Sequence, residues 1–242
     1  TEPRWYTGVK CVKVQRQASS QQKEFIKFLK KVQQEHDFKI IYEVDDVVFR
    51  ECIPDYNKFK FAFDTEEVRS NCIDIINLVD EVTVTCDFMR KLYQEKITVI
   101  PNFVPNGWMG QLYNPAQIRK EYENNKRKPR ILYIGSGAHY DVDNKVGGND
   151  DMFGVRDFIR KTVDKYQWIF VGAFPPQLQD LVQQKKIEFY PWQPLLRYPF
   201  FVAGLNAQLM VAPLQVNDFN RAKSDIKFIE ACVLGIPCLC QD

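Results

Sequence analysis

The sequence alternates short apolar segments with segments of helical periodicity along almost its whole length. Apolar segments of strand length occur at residues 9–14, 39–44, 82–85, 97–100, 131–134, 168–171, 187–189 and 209–212. Helical patterns lie between most of them, at residues 20–35, 66–78, 87–94, 153–166, 176–184 and 199–205. Strands that alternate with helices in this way are typical of parallel sheets covered by helices on both faces. The alternation therefore predicts an α/β protein.

One polar segment interrupts the alternation. Residues 114–128 are polar and charged, and Pro129 precedes a new apolar strand. We predict an N-terminal Rossmann-like domain at residues 1–114, a linker at 115–128 and a C-terminal Rossmann-like domain at 129–242. The two domains are expected to face one another across a cleft. Both termini are predicted to be incomplete, because the first domain lacks its usual opening strand and glycine-containing loop and no helix follows the last strand.

The composition and the terminal segment disfavour several classes of protein. The 33 Lys and Arg residues nearly balance the 31 Asp and Glu residues, and a net charge of +2 gives no strong sign of a nucleic-acid or membrane surface. No run approaches the roughly 18–20 apolar residues of a membrane span, and the N-terminus lacks the apolar core of a signal peptide. The seven cysteines form no CxxC motif, which predicts reduced thiols and no metal site. We expect a cytoplasmic protein.

The segment at residues 219–240 carries the strongest functional signal. A polar turn with Asn220, Arg221, Lys223 and Ser224 runs into a helix that stops at Leu234 and Gly235. A helix start rich in cations and backbone N–H groups suits a phosphate, because its unpaired donors and the helix dipole favour negative charge. The turn therefore indicates a site for the diphosphate of a nucleotide.

The same predicted helix carries two stripes. Three apolar residues are spaced to face a core and three charged residues share another face: Ile226, Ile229 and Val233, and Lys223, Lys227 and Glu230. A glutamate two turns into the helix can accept hydrogen bonds from a diol such as a ribose. The alternative is an ordinary surface helix with an ion pair between Lys227 and Glu230.

Small residues follow the strand at 131–134. Gly135 and Ser136 let backbone N–H groups approach an anion, although the absence of GxGxxG disfavours an NAD-type site. His139 can contact the phosphate or sugar of a donor from this position, and the alternative is a capping or packing histidine. Residues 141–151 resemble a calcium loop but lack the Gly and Glu that an EF-hand requires, so we interpret them as a glycine-rich surface insertion.

Side chains that can take part in binding or catalysis follow two further predicted strands. Asp45 and Asp46 follow the second predicted strand, where paired carboxylates can act as a base, bind hydroxyls or hold a cation. The alternative for them is an Asx turn or a helix cap. Tyr190 and Trp192 belong to a rigid aromatic loop that can cover a nucleobase, and the alternative there is a packed connection.

Taken in order, these segments resemble the GT-B glycosyltransferases of the group 1, family 4-like set, and among them the bacterial and tailed-phage variants. Four segments of this chain resemble the N-domain of that family: VKVQR (12–16), IYEVDDVVF (41–49), LVDEVTVTCDFM (78–89) and VIPNFVPNGW (99–108). Three later segments resemble its C-domain: ILYIGSGAHYDVD (131–143), WIFVG (168–172) and VAPLQVNDFNRAKSDIKFIEACVLGIP (211–237). The ordered series covers almost the whole chain.

The resemblance implies a role for each candidate residue. It places Glu230 on the ribose hydroxyls of a sugar nucleotide, the cationic turn on the diphosphate and the aromatic loop near the base. The predicted donor-binding residues are Gly135, Ser136, His139, Tyr190, Trp192, Asn220, Ser224, Lys227 and Glu230. The predicted catalytic residues are Asp45, Asp46, Arg221 and Lys223. The family often carries a second glutamate eight positions before the first, and Ala222 stands there, with Asp218, Asn220 or Arg221 as candidates to replace it.

The implied reaction is transfer of a hexosyl or pentosyl group from a UDP- or GDP-sugar to an acceptor hydroxyl with retained anomeric configuration. Arg221, Lys223 and the helix start would stabilise the departing diphosphate, so the resemblance implies no metal and no cofactor besides the donor. The acceptor is a glycan, a small molecule or a hydroxymethylated base of phage DNA, the last in the host cytoplasm. The alternatives are a non-catalytic nucleotide-sugar-binding module, which Ala222 favours, and another Rossmann-type enzyme such as an epimerase or dehydrogenase.

Overall fold

The computed structural model describes residues 3–16, 18–63, 65–96, 102–103, 107–120 and 128–241. Strands β1 to β9 span Cys11–Gln15, Lys39–Val44, Glu81–Val84, Asn102–Phe103, Arg130–Gly135, Gln167–Gly172, Ile187–Tyr190, Leu209–Ala212 and Cys238–Cys240. Helices α1 to α9 span Ser20–Val32, Glu66–Leu78, Asp87–Lys96, Pro115–Lys120, Val155–Thr162, Gln179–Gln183, Tyr198–Gly204, Asp218–Arg221 and Ile226–Leu234. None of the helices in these ranges has the length and apolar character needed to cross a bilayer. The predicted α/β alternation is confirmed, and the strand predicted at 97–100 lies outside the described residues.

The chain divides into two compact units, and neither is continuous in sequence. Unit 1 comprises Thr1–Pro54, Phe59–Asn106 and Val216–Ser224. Unit 2 comprises Asp55–Lys58, Gly107–Gln215 and Asp225–Asp242. Three short segments therefore lie in the other unit from the one that the sequence predicts: residues 55–58 and 107–114 in unit 2, and residues 216–224 in unit 1. Residues 115–120 of the predicted linker form α4, whose Ile118 is fully buried in a core of unit 2.

Unit 1 contains a parallel sheet with strand order β1-β2-β3-β4. Alternate residues of β2 are buried, and Ile40, Tyr42 and Val44 lie in the core. The Ser19 side chain accepts a hydrogen bond from the Gln22 N–H, which fixes the start of α1 by satisfying a donor of its first turn. Because these strands are parallel, the carboxyl ends of β1, β2 and β3 lie at one edge of the sheet.

Unit 2 contains a parallel sheet with strand order β7-β6-β5-β8-β9. The central strand β5 is buried along five of its six residues, and its side chains feed two cores on opposite faces. Leu132 and Ile134 enter one core, whereas Ile131 and Tyr133 enter the other. Because β6 and β8 lie on opposite sides of β5, the strand order reverses there, and ligands of open parallel sheets bind at such a reversal.

Candidate functional site

The 135–139 loop, defined as the last residue of β5 and the four residues after it, lies at the reversal of the unit 2 sheet. The Ser136 side chain accepts a hydrogen bond of 3.2 Å from the Ala138 N–H and caps a 3-10 turn over Gly137–His139. Lys58 lies directly against this turn, since a Cβ at Gly137 would come within 2.8 Å of Lys58 Nζ. Any side chain at position 137 would displace this ammonium group. The 135–139 loop thus combines a tight backbone turn with a cation, as anion sites do.

His139 is held by a buried carboxylate. Its Nδ1 lies 2.7 Å from Asp151 Oδ2, and the Asp151 side chain is 1% exposed. Asp151 Oδ1 accepts two further hydrogen bonds, from Tyr56 Oη at 2.7 Å and from the Gln215 N–H at 2.8 Å. The alternative interpretation of His139 as a packing residue accounts for the contact of its Nδ1 with Asp151. It does not account for the part of the side chain that is exposed, which is 18%.

Two more buried carboxylates organise the loop at residues 141–151. Asp141 is 1% exposed and accepts hydrogen bonds of 2.7–3.0 Å from three N–H groups within residues 145–148. Burial raises the pKa of Asp141, but these donors and Arg156 outweigh burial and leave it below its ordinary value. Asp150 is fully buried and receives Arg156 at 2.6 and 2.8 Å. Residues 142–145, 147 and 149 of the predicted surface insertion are exposed, whereas the carboxylates of Asp141 and Asp150 are buried beneath it.

Trp192 covers the carboxyl end of β6. A Cβ at Gly172 would come within 2.6 Å of both the Trp192 ring and the Gly135 carbonyl oxygen, and Gly172 has a φ of +96°. The indole therefore lies against the backbone where β5 and β6 end. Trp192 is 52% exposed, so its ring presents a free aromatic surface at this edge. Such a surface suits stacking with a nucleobase.

Tyr190 behaves differently from Trp192. Its hydroxyl donates a hydrogen bond of 3.0 Å to Glu188 Oε2, and its ring packs edge-on against Phe201 with centroids 5.3 Å apart. Glu188 is also bound by both terminal nitrogens of Arg130, at 2.9 and 2.7 Å. The packed-connection alternative therefore describes Tyr190, and only Trp192 of the two predicted aromatics offers an open face.

Glu230 lies on α9 with both oxygens engaged. Tyr198 Oη donates to Oε1 at 2.9 Å, and Lys227 Nζ lies 3.1 Å from Oε2. The Glu230 side chain is 13% exposed and that of Lys227 29%. Burial, followed by the negative charge of Glu230, raises the pKa of Tyr198, so the tyrosine stays a donor. The ion pair between Lys227 and Glu230 that the surface-helix alternative predicts is present. It forms one cluster with Tyr198, and this cluster is largely shielded from solvent.

The predicted helix face with Lys223 at its start does not form. The helix α9 begins at Ile226, with Asp225 as its N-cap, and Lys223 and Ser224 precede it in irregular backbone. The break follows from packing, because Val216–Ser224 belongs to unit 1 and α9 to unit 2. The predicted core stripe also changes, since Ile226 is 48% exposed.

The cations of the segment Val216–Ser224 pack on aromatic rings of unit 1. Lys223 Nζ lies 4.4 Å from the centroid of the Phe219 ring, and Arg221 Cζ lies 5.9 Å from that of Phe88. Asn220 is buried, with 6% exposure. Asn217 accepts a hydrogen bond from the Asn220 N–H at 2.9 Å and caps the short helix α8. Contacts within unit 1 therefore hold Asn220, Arg221 and Lys223, and Ser224 follows Lys223 directly.

Ala222 is part of the hydrophobic core of unit 1. It is 1% exposed, and its carbonyl oxygen accepts a hydrogen bond of 3.3 Å from Cys86 Sγ. A glutamate at this position would place a carboxylate in the core, which is strongly unfavourable without partners. The structure therefore gives a packing reason for alanine where the resemblance expects glutamate.

Arg16 brings the two predicted aspartates together. It follows β1 and lies 3.2 Å from Asp45 Oδ1 through Nε and 3.4 Å from Asp46 Oδ2 through a terminal nitrogen. Thr85 follows β3 at the same edge, and its Oγ1 is buried without a hydrogen-bond partner in the part of the chain that the structure describes. The edge therefore presents a guanidinium and two carboxylates, which are groups that bind sugar hydroxyls, beside the buried Thr85 hydroxyl.

Comparison with solved structures identifies the fold. Sucrose-phosphate synthase from Thermosynechococcus elongatus matches with a TM-score of 0.54 and 15% identity, over 98% of this chain and 57% of that chain. The apo structure of OtsA matches with a TM-score of 0.46 and 9% identity, over 88% and 56%. The pneumococcal O-GlcNAc transferase GtfA in complex with UDP and GlcNAc matches with a TM-score of 0.46 and 14% identity, over 91% and 44%.

The chain has the GT-B fold. The predicted fold class is thereby confirmed, and the chain spans little more than half the length of the first of these neighbours. No family model matches the sequence, and no curated protein matches it. The predicted similarity to phage members receives no support from these structures. Among the described residues of this GT-B chain, no group of three or more His, Cys, Asp or Glu side chains could hold a metal ion.

Four residues in the contacts described above are not among the predicted site residues: Arg16, Tyr56, Lys58 and Asp151. Arg16 could have been found, because it follows the first strand just as Asp45 and Asp46 follow the second. Tyr56, Lys58 and Asp151 carry no such signal. Tyr56 meets Asp151 across 95 residues, and no local pattern encodes that pairing.

Proposed function

We propose that this chain belongs to a glycosyltransferase that moves a sugar from a nucleoside diphosphate donor to an acceptor hydroxyl. The observation that carries the proposal is the exposed indole of Trp192 against Gly172 and the end of β5, next to the 135–139 loop. A base-stacking surface beside a phosphate-compatible turn, at the reversal of a parallel sheet, is what a bound nucleotide requires.

The geometry of unit 2 supports one set of donor roles. Trp192 stacks on the base, and the loop residues Gly135, Ser136 and His139 approach the diphosphate. Glu230 accepts hydrogen bonds from the ribose hydroxyls with its free lone pairs, since Lys227 and Tyr198 occupy only one position on each oxygen. The donor is a UDP- or GDP-sugar. Its sugar is transferred with retention and without a metal ion.

The acceptor role falls to the edge of unit 1. Arg16 holds Asp45 and Asp46 in place, and their carboxylates accept hydrogen bonds from the hydroxyls of a glycan or small molecule. Arg221 and Lys223 stay the predicted groups that stabilise the leaving diphosphate, and Asn220 and Ser224 stay predicted donor contacts. The net charge of +2 gives no argument for a DNA acceptor, because DNA binding relies on contacts of Lys and Arg with phosphates.

The donor site is tested by nucleotide binding. We expect UDP or GDP to raise the melting temperature, because a ligand bound only by the folded state stabilises it. The Trp192→Ala variant is expected to bind about tenfold or more weakly, since stacking on one base contributes roughly 1–3 kcal/mol. Trp5→Ala is the matched control, because Trp5 is likewise exposed, at 62%, but lies in unit 1. Absence of stabilisation by any nucleotide would refute the proposal.

The acceptor site is tested by separating binding from turnover. Arg16→Ala is expected to lower glycosyl transfer while leaving the affinity for UDP unchanged. Lys13→Ala is the control, because Lys13 pairs with Glu43 on the same two strands at 2.5 Å but within the strands and not at their carboxyl ends. Equal effects of both variants on transfer would contradict the assignment of Arg16.

A second function, a binding module without turnover, is favoured by one observation. Ala222 is buried in the core of unit 1 where the resemblance expects a glutamate near the donor sugar. Incubation with a panel of UDP- and GDP-sugars separates the two functions. Donor hydrolysis or transfer identifies an enzyme, whereas tight nucleotide binding without any turnover identifies the module.

A further inference from the structure

Two tight turns of unit 2 lie next to each other and expose large apolar side chains. In each turn one carbonyl oxygen accepts hydrogen bonds from the N–H groups three and four residues later, and these oxygens belong to Met109 and Pro194. Tyr113 Oη donates to the Leu195 carbonyl oxygen at 2.9 Å, which joins the two turns across 82 residues. We call the four exposed side chains of these turns the apolar turn surface. Their exposed fractions are 62% for Met109, 58% for Leu112, 76% for Leu195 and 69% for Leu196.

The first of these turns is anchored to the core of unit 2. The Tyr113 side chain is buried in the same core as Ile118, with 6% exposure. Trp108 Nε1 donates to the Tyr113 carbonyl oxygen at 2.8 Å, and the two rings pack with centroids 5.7 Å apart. Met109 and Leu112 are therefore held outward between two anchored aromatic residues. Large apolar side chains that are grouped on a surface in this way mark a site of interaction.

The charges around the apolar turn surface favour an anionic partner. Residues 107–118 contain no charged side chain, and residues 189–203 contain only Arg197. Arg197 is exposed, and it forms no ion pair or side-chain hydrogen bond with the part of the chain that the structure describes. Both segments are rich in Trp, Tyr and Phe, of which Trp and Tyr concentrate where a membrane meets water. The net charge of +2 is an average over the whole chain and does not describe this surface.

We propose that the apolar turn surface docks on an anionic lipid bilayer, with its four side chains among the lipid headgroups and Arg197 on the lipid phosphates. Apolar side chains gain free energy when they leave water for the boundary between headgroups and acyl chains. A second copy of the chain is a weaker candidate, because four side chains offer a few hundred Å² and a stable interface needs roughly 800 Å² from each partner. The inference goes beyond the proposed function and does not rest on it.

Docking is measured by flotation of the chain with lipid vesicles. We expect binding to vesicles of phosphatidylcholine with about one third phosphatidylserine, and weaker binding to phosphatidylcholine alone or at high salt. The double variants Leu195→Ser/Leu196→Ser and Met109→Ser/Leu112→Ser are each expected to bind the anionic vesicles at least about tenfold more weakly. Arg197→Gln is expected to lose about fivefold, which is the contribution of one cation near an anionic surface.

Phe153→Ser is the matched control. Phe153 is 66% exposed and belongs to unit 2, but it lies outside the apolar turn surface. This variant is expected to bind the vesicles as the unmodified chain does. All the substituted apolar side chains are exposed, so the melting temperatures of the variants are expected to stay within a few degrees of that of the unmodified chain. A loss of flotation then reports docking and not folding.

Three results would overturn the inference. The first is an unmodified chain that does not float with the anionic vesicles. The second is equal flotation of the unmodified chain and the Leu195→Ser/Leu196→Ser variant, which would place the lipid contact elsewhere. The third is self-association in sedimentation velocity that the same substitutions abolish, without vesicle binding, which would assign the surface to a second copy. Stabilisation by UDP or GDP is measured separately, so the proposed function can fail or survive independently of these results.

Discussion

Tyr198 Oη donates a hydrogen bond of 2.9 Å to Glu230 Oε1, and this bond joins the start of α7 to the middle of α9. Lys227 holds the other carboxylate oxygen at 3.1 Å. Glu230 is therefore oriented before any ligand arrives. A carboxylate that is already fixed loses little side-chain freedom on binding, so it contributes more of its interaction energy to affinity.

Removing the Tyr198 hydroxyl is expected to weaken both stability and binding. Tyr198→Phe leaves a shielded carboxylate with one donor fewer, which we expect to lower the free energy of unfolding by about 1–2 kcal/mol. It also frees Glu230 to leave its fixed orientation, so under the proposed ribose contact the affinity for UDP is expected to fall about tenfold. Urea unfolding and calorimetry measure the two effects.

The control for Tyr198 is Tyr113→Phe. Tyr113 Oη donates to the Leu195 carbonyl oxygen at 2.9 Å within the same unit, so this variant also loses one hydrogen bond. Stability is expected to fall by a similar amount while UDP affinity stays unchanged. Equal losses of UDP affinity in both variants would show that Tyr198 acts through general stability and not through Glu230.

Adding a methyl group at Gly172 is expected to disturb the Trp192 surface. Gly172→Ala faces a φ of +96° and contacts of 2.6 Å with the Gly135 carbonyl oxygen and the Trp192 ring. Strain of this kind costs about 1–3 kcal/mol before any overlap is counted. We expect a loss of unfolding free energy of at least about 2 kcal/mol, a change in tryptophan fluorescence and weaker nucleotide binding.

Gly204→Ala separates this effect from substitution of glycine in general. A Cβ at Gly204 has no neighbour within 4 Å, and the residue ends α7 without a positive φ. Alanine there is expected to be neutral or to stabilise by up to about 1 kcal/mol. A Gly172→Ala variant as stable as Gly204→Ala would contradict the described contact with Trp192.

The loop at residues 141–151 is expected to make stability depend on acid. The pKa of Asp141 is lowered in the folded chain, because its backbone donors and Arg156 outweigh the opposing effect of burial. A lowered folded pKa contributes stability above the unfolded pKa of about 3.9 and loses it as the pH falls through the folded value. Urea unfolding of the unmodified chain and Asp141→Asn is expected to differ most above about pH 5, with the difference shrinking toward about pH 2.

Asp143→Asn serves as the reference for this acid dependence, since Asp143 is 58% exposed and lies two positions away. Its unfolding free energy is expected to follow that of the unmodified chain across the same pH range. A difference between the unmodified chain and Asp141→Asn that stays constant with pH would show that the Asp141 charge is not stabilised in the folded state.

Restoring the expected glutamate is predicted to fail. Ala222→Glu places a carboxylate at a position with 1% exposure in the core of unit 1, where an uncompensated charge costs several kcal/mol. We expect loss of about 3 kcal/mol or more and no gain in sugar transfer. Val216→Glu is the control, because Val216 is 68% exposed in the same segment and is expected to tolerate the charge. A stable Ala222→Glu variant would remove the packing reason for alanine.

The pattern of the sequence was sufficient for the α/β class and for several strands of the fold. The strands β2, β5 and β6 were predicted within one or two residues, because buried parallel strands are short apolar runs that stand out from their polar flanks. The same rule led to Asp45, Asp46 and the 135–139 loop, since residues after parallel strands gather at one edge of a sheet. Arg16 follows from it as well, although only the structure shows it bridging the two aspartates.

The conformation of the polar turn before α9 is not encoded in the spacing of its residues. Helical spacing placed Lys223 with Lys227 and Glu230 on one face, but Ala222 and Phe219 are buried in unit 1 while Ala231 and Val233 are buried in unit 2. These two groups of residues pack in separate cores, and the chain leaves the helical conformation between α8 and α9. Periodicity records which residues are apolar and not which core receives them.

The sequence by itself determined the α/β class, the order of the strands along the chain and the strand ends that carry polar groups, because these depend on local periodicity. Only the tertiary structure decided the partners of those groups. Asp151 meets Tyr56 across 95 residues. Trp192 covers Gly172, and Tyr198 reaches Glu230 across 32 residues. Contacts between distant residues depend on how whole strands and helices pack, and no local pattern of side chains encodes that packing.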